Sequence, residues 1–278
     1  MRKLIAFPCA GETLLGTLDD APGATGLLIV SGGNEIRIGA HRGMALLAQR
    51  VAEAGHPVFR FDRRGIGDST GENRGFESSA DDISAAAATF RAETGVTRIV
   101  AHGNCDAATA LAFFHAQAGI DALILANPWV IEATDDLPPA AAIRARYAER
   151  LRDPREWLRL LRGGVNIRKV ASGLLKASRK QYEQPDGLPA RLAAALTDSR
   201  TPVTILLAKG DNTAIAFADA FAGPAFAEAR DKVTIEQLDS ANHSFASAAD
   251  KDWLFERVHA ALNNPLPEGE GDREAVER

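Results

Sequence analysis

Short apolar runs of strand length recur along the chain, and most are followed by a segment whose apolar residues have helical spacing. Continuous apolar runs of this length are typical of parallel strands that are buried on both faces of a sheet. Six such runs predict strands at 26–30, 56–61, 97–101, 122–126, 203–207 and 233–238. Four segments predict helices at 42–54, 79–94, 106–118 and 248–262. This alternation predicts an α/β fold with a doubly wound, mostly parallel sheet, to which residues 12–18 add an antiparallel strand.

Residues 131–200 interrupt the alternation, because they contain helical, Arg-rich sequence and no convincing strand. They carry 14 Lys and Arg against 9 Asp and Glu, whereas the whole chain has a net charge of −5. Within them, 144–180 has a net charge of +9, which fits either a solvated helical face or a surface that attracts an anionic substrate. We therefore predict a core in two parts, 1–130 and 201–262, a helical basic lid at 131–200 and a disordered tail at 263–278.

The composition, with 46% hydrophobic and 25% charged residues, is that of a globular protein. The negative net charge argues against nucleic-acid binding, and no apolar run reaches the roughly 18 residues of a membrane span. Two cysteines, Cys9 and Cys105, exclude a disulfide framework. Because the apolar N-terminal stretch is also too short for a signal peptide, we expect a cytoplasmic protein. The histidine spacing does not suit zinc and no phosphate loop is present, so we expect no metal and no cofactor.

Residues 103–107, Gly-Asn-Cys-Asp-Ala, stand directly between a predicted strand and a predicted helix. They resemble the Gly-x-Ser-x-Gly nucleophile elbow of α/β hydrolases, with Cys105 in place of the serine and Ala107 in place of the last glycine. Such a turn is strained and needs small neighbours, which Gly103 and Ala107 provide. The N-terminus of the following helix would favour a thiolate and an oxyanion. A buried, inert cysteine is the alternative interpretation of Cys105.

Candidates for a base and its orienting acid follow in the order nucleophile, acid, histidine. Asp211 comes just after the strand at 203–207, and His243 comes after the last strand. The carboxyl ends of parallel strands meet at one edge of a sheet, so we expect both side chains near Cys105. Taken singly, Asp211 also fits a turn and His243 a solvated loop. Asp239, four residues before His243, is the alternative acid.

Two glycines follow the first parallel strand, in residues 31–34, and allow the backbone to approach a ligand closely. We expect an oxyanion hole made by the backbone N–H of Asp106 and that of Asn34 or Gly33, with an ordinary tight turn as the alternative. The segment 62–69 is similar to a loop that has a mainly structural role in α/β hydrolases. Its two glycines, Gly65 and Gly67, also follow a strand as in a dinucleotide-binding fingerprint. That fingerprint needs a third glycine where Thr70 stands, so we do not expect dinucleotide binding.

Because of these residues and their order, the chain resembles the α/β hydrolase superfamily over about residues 10–262. The resemblance is strongest to its serine aminopeptidase-like or monoacylglycerol-lipase-like branch. Residues 32–42 and 103–108 look like the exosortase A system-associated hydrolase 1 family, whose members accompany bacterial exopolysaccharide and protein-sorting clusters. Cysteine in place of serine is shared with dienelactone hydrolases, but the chain has no lactone-specific signature. The resemblance implies a hydrolase and leaves its substrate open.

The resulting prediction is an acyl hydrolase of the esterase or thioesterase type that uses Cys105, His243 and Asp211. Its partner would be a small-molecule acyl substrate, and the basic lid would suit an anionic one such as a CoA thioester or an acidic glycan. Two alternatives stay open. One is an acyltransferase, in which a sugar or alcohol hydroxyl replaces water. The other is a non-catalytic scaffold of an exopolysaccharide complex, which alanine or a bulky residue at 105 or 243 would have favoured.

Overall fold

The computed structural model describes residues 1–132 and 186–264. Most of the predicted lid (133–185) and nearly all of the predicted tail (265–278) lie outside the described residues. The described residues contain one sheet whose strands are β1 (Arg2–Cys9), β2 (Glu12–Asp19), β3 (Thr25–Val30), β4 (Val58–Phe61), β5 (Arg98–Asn104), β6 (Ala122–Ala126), β7 (Val203–Ala208) and β8 (Val233–Leu238).

The spatial order of the strands is β1-β2-β4-β3-β5-β6-β7-β8. Strand β2 is antiparallel to both of its neighbours, and the six strands β3 to β8 are parallel to one another. The prediction of a mostly parallel sheet with an antiparallel strand near its start is therefore confirmed.

Helices cover both faces of this sheet. In the part of the chain that the structure describes they are α1 (Gly43–Glu53), α2 (Ala80–Thr94), α3 (Asp106–Phe114), α4 (Leu188–Asp198), α5 (Asn212–Phe221) and α6 (Ala248–Asn263). Alternate residues of β3 face opposite layers: Leu28 and Val30 pack in the core with α2–α5, whereas Leu27 and Ile29 pack in the core with α1 and α6. This is the two-sided burial that the continuous apolar strands predicted.

Two elements were not predicted, β1 and α5, and a third, α4, falls inside the range assigned to the lid. Strand β1 lies at the edge of the sheet, and most of it is exposed, so its apolar pattern is weak. Helix α4 buries Leu192, Ala193 and Leu196 in the larger core. This helix is therefore part of the core. Among the described helices, none is long and apolar enough to cross a membrane.

Candidate active site

Cys105 lies at the tight turn between β5 and α3. Its backbone angles, φ 63° and ψ −128°, belong to a region that L-residues rarely adopt and that often marks functional sites. The turn brings the two elements close together, because a Cβ on Gly103 would lie 2.8 Å from the carbonyl carbon of Ala107. Glycine at 103 and a small residue at 107 satisfy this requirement. The side chain of Cys105 is partly exposed, whereas that of Cys9 is buried.

Asp211 lies between the end of β7 and the start of α5, and its carboxylate caps that helix. Oδ2 accepts hydrogen bonds from the backbone N–H groups of Thr213 and Ala214, both at 3.1 Å. The same oxygen is 2.9 Å from Nδ1 of His243, which lies in the loop after β8. Three donors on one oxygen hold the carboxylate in a single orientation. Asp239, the alternative acid, is exposed, and His243 bonds to Asp211 instead.

His243 interacts with both of the other candidate residues. Its pKa is raised to about 10, first by the hydrogen bond to Asp211 and then by the hydrogen bond to Cys105, while burial acts in the opposite direction. Because Nδ1 faces Asp211, Nε2 is the ring nitrogen left for the Cys105 thiol. The fold thus brings Cys105, His243 and Asp211 together from three separate loops at the carboxyl edge of the sheet.

Two asparagines that the sequence analysis left without a role hold the backbone of His243. The side-chain amides of Asn104 and Asn127 donate to the His243 carbonyl oxygen at 3.0 and 3.3 Å. Asn127 also donates to Oδ1 of Asn104 at 3.0 Å, and its own Oδ1 accepts from the N–H of Ala208 at 2.9 Å. The sequence offered only their positions as a signal for this role: Asn104 directly precedes Cys105, and Asn127 directly follows β6.

The residues predicted to form an oxyanion hole lie next to one another, with one difference. The Gly33 N–H donates to Oδ1 of Asp106 at 2.6 Å, so this donor already has an acceptor. Within the described residues, the N–H groups of Asn34 and Asp106 have no acceptor. Of the three predicted N–H groups, these two therefore remain the candidates for an oxyanion hole. Arg63 supports the loop by donating to the Gly33 carbonyl oxygen at 2.6 Å.

The segment 62–69 packs beside this loop. Asp62 is fully buried, forms an ion pair with Arg37 and accepts from the Arg37 N–H at 2.5 Å. The contacts agree with the structural role expected for the segment. No group of three or more His, Cys, Asp or Glu side chains in residues 1–132 and 186–264 is arranged to hold a metal ion.

Comparisons with known proteins agree with this architecture. The family model described as "Alpha/beta hydrolase family" matches residues 27–257. The esterase Pf2001 of Pyrococcus furiosus superimposes with a TM-score of 0.66 at 14% identity, over 96% of this chain and 94% of that chain. A thioesterase domain from the curacin biosynthetic pathway gives 0.58 at 12% identity, over 95% of this chain and 100% of its own.

A serine hydrolase without a lid from Xanthomonas campestris gives a TM-score of 0.57 at 15% identity, over 96% of both chains. At these identities the likenesses show the fold alone. A search of curated proteins found no match.

Proposed function

The chain belongs to the alpha/beta hydrolase family, and we propose that it hydrolyses ester or thioester bonds with Cys105 as the nucleophile, His243 as the general base and Asp211 as the orienting acid. One observation carries the proposal. His243 bonds to Asp211 at 2.9 Å through Nδ1 and interacts with Cys105, which stands on a strained turn at the N-terminus of α3. A nucleophile in reach of a base that is oriented by an acid is the arrangement that acyl transfer needs.

The first half of the reaction acylates the enzyme. His243 takes the proton of the Cys105 thiol, and the sulfur attacks the acyl carbonyl carbon. The carbonyl oxygen becomes an oxyanion, which the N–H groups of Asn34 and Asp106 stabilise. When the tetrahedral intermediate collapses, the bond to the leaving group breaks, and His243 gives its proton to the departing alkoxide or thiolate. The product is an acyl thioester on Cys105.

The second half releases the acyl group. His243 takes a proton from water, whose oxygen attacks the thioester carbonyl. The carbon–sulfur bond then breaks, the free acid leaves, and the sulfur of Cys105 recovers its proton from His243. Throughout, Asp211 keeps the proton on Nδ1, so that Nε2 is free to accept and return protons.

Two further points support and extend the proposal. Structures with the same fold include proteins named as an esterase and as a thioesterase, which fits either leaving group. The resemblance of residues 32–42 and 103–108 to exosortase-associated hydrolases extends the proposal to a substrate connected with bacterial exopolysaccharide. The basic stretch at 144–180 favours an anionic acyl donor, and it lies outside the described residues.

The test is to trap the acyl-enzyme. The protein is mixed with a panel of activated esters and acyl-CoA thioesters, and the intact mass and then the peptide masses are measured after rapid acid quenching. We expect an added acyl group on Cys105, and no hydrolysis by a Cys105→Ala variant whose melting temperature is nearly unchanged. Cys9→Ala is the matched control. Burial raises the pKa of the Cys9 thiol to about 12, so this variant should keep full activity.

The outcomes separate the alternatives. Full hydrolysis by Cys105→Ala contradicts the mechanism. No acyl-enzyme with any donor favours the non-catalytic scaffold. An acyl-enzyme that decays faster when a sugar or alcohol is added, with an acylated product, favours the acyltransferase.

A further inference from the structure

A cavity of about 240 Å³ lies between the sheet, α1 and α6. A volume of this size has room for a chain of several methylene groups. Most of its wall is apolar and comes from Ile29, Val30, Met44, Leu47, Phe245 and Leu254. A wall that is mainly apolar favours a hydrocarbon chain over a fully polar ligand.

One end of the cavity lies beside the candidate active site. Asn104 and Ser244 line it, and they are the chain neighbours of Cys105 and His243. Glu35 lines it as well; burial raises the pKa of its carboxyl, and the positive charge of His243 acts in the opposite direction. A group bound at this end is therefore close to the residues that carry the proposed reaction.

His102 contributes one of the polar side chains of this mainly apolar wall. It is 6% exposed and stands two residues before Asn104 on β5, roughly 7 Å further along the strand from the site. Its Nδ1 is 3.1 Å from the carbonyl oxygen of Ile124. A carbonyl only accepts, so Nδ1 carries the proton and Nε2 is an acceptor. Burial lowers the pKa of His102 to about 4, which keeps the ring neutral.

Within the described residues, Nε2 of His102 has no hydrogen-bond partner. Because this nitrogen is an acceptor, the ligand group that fits it must be a donor. A carboxylate or carbonyl oxygen cannot donate to it. An ammonium group can donate, but it would lose hydration against the mainly apolar wall, and the Glu35 carboxylate that could offset this loss lies at the active-site end. An amide would bring a second polar group that needs a donor. A hydroxyl supplies the required donor at the smallest desolvation cost.

We propose that this cavity binds the acyl chain of the substrate and that Nε2 of His102 accepts a hydrogen bond from a hydroxyl group on that chain. The inference rests on the proposed function in one respect, namely that the acyl carbonyl lies at the Cys105 end of the cavity. The substrate class is then a hydroxylated acyl ester or thioester of medium chain length.

The test measures binding separately from catalysis. Octanamide is uncharged and resists hydrolysis, so its affinity for the full chain can be measured by calorimetry beside its derivatives hydroxylated at the third, fifth or eighth carbon. We expect one derivative to bind about fivefold to tenfold more tightly than octanamide, which is the size of one net hydrogen bond. His102→Asn keeps a donor for Ile124 but lacks an atom at the Nε2 position, so the gain should vanish. His102→Gln places an amide near that position and should keep part of it.

A cavity-filling variant locates the binding. Leu47 lines the cavity and is 7% exposed, so Leu47→Trp should weaken the binding of all four compounds at least tenfold. Leu4→Trp is the matched control, because Leu4 is 71% exposed on the edge strand β1 and should change nothing. Melting temperatures show whether the Leu47 and His102 variants are folded. If Leu47→Trp does not fold, the His102 pair still decides the question.

The outcomes distinguish this inference from the proposed function. The inference is overturned if no hydroxylated compound binds more tightly, if His102→Asn keeps the gain, or if folded Leu47→Trp binds as the wild type does. Acylation of Cys105 by acetyl donors without any octanamide binding would remove the cavity site and leave the proposed function standing. Tight, His102-dependent binding without an acyl-enzyme would support the cavity site and contradict the proposed function.

Discussion

Replacing Asp211 by asparagine tests the charge of the proposed acid without disturbing its geometry. Oδ2 of Asp211 accepts from Thr213, Ala214 and His243. Asparagine caps a helix about as well as aspartate, and the two helix N–H groups select its amide oxygen for the Oδ2 position. Nδ1 of His243 then keeps an acceptor, so the substitution removes one negative charge and little else. We expect the melting temperature to change by only a few degrees.

The magnitude follows from the pKa of His243, which is about 10 against an ordinary 6.5, with Asp211 as the largest cause of the increase. One pKa unit corresponds to a factor of ten in the stability of the imidazolium. The imidazole is 37% exposed, so solvent screens part of this effect. We therefore expect kcat to fall about 10²-fold. A loss of about 10⁴-fold would indicate that the imidazole has also changed its tautomer.

The assay compares Asp211→Asn with Asp239→Asn, the same substitution at an exposed carboxylate in the neighbouring loop. Three measurements run in parallel: kcat with an activated ester, the rate at which iodoacetamide alkylates Cys105 at neutral pH, and the melting temperature. Only Asp211→Asn should lower kcat and the alkylation rate, because only this substitution weakens the ability of His243 to take the proton of the Cys105 thiol. A larger loss of kcat in Asp239→Asn would transfer the acid role to Asp239 and refute the reasoning.

Three further predictions concern stability and substrate charge. The folded-state pKa of His243 lies above its unfolded value, so its contribution is fully present below pH 6.5 and is lost as the pH rises through about 10. The free energy of unfolding of wild type should therefore exceed that of His243→Gln by more at pH 6 than at pH 10 in urea titrations, and a constant difference would contradict this. Gly103→Ala should cost about 1–3 kcal/mol of unfolding free energy, because its Cβ would meet backbone of Ala107; an unchanged melting temperature would contradict this contact. If 144–180 attracts an anionic substrate, kcat/KM for an acyl-CoA should fall steeply with added salt while a neutral ester of equal acyl length is little affected, and equal salt sensitivity would contradict the attraction.

The sequence determined the elements whose signals are local. Buried parallel strands read as continuous apolar runs, so the strands from β3 to β8 were found within a few residues of their observed ends. The elbow at 103–107 was also visible, because a strained turn between a strand and a helix demands small residues at fixed spacing. The order of Cys105, Asp211 and His243 at the carboxyl ends of β5, β7 and β8 indicated which residues could meet, although it did not show that they do.

Only the tertiary structure decided which atoms are in contact. It put Asp211, and not Asp239, in hydrogen-bond contact with His243. It paired Asn104 with Asn127 beside the His243 carbonyl, and it made Asp106 the acceptor of the Gly33 N–H. It also decided that the helix at 188–198 packs on the core, and that His102 faces a cavity rather than solid packing. Each of these contacts joins residues far apart in the chain, and its length depends on how the sheet twists and how the helices pack on it. Hydrophobic periodicity determines which face of an element is buried, but it carries no information about the partner that buries it.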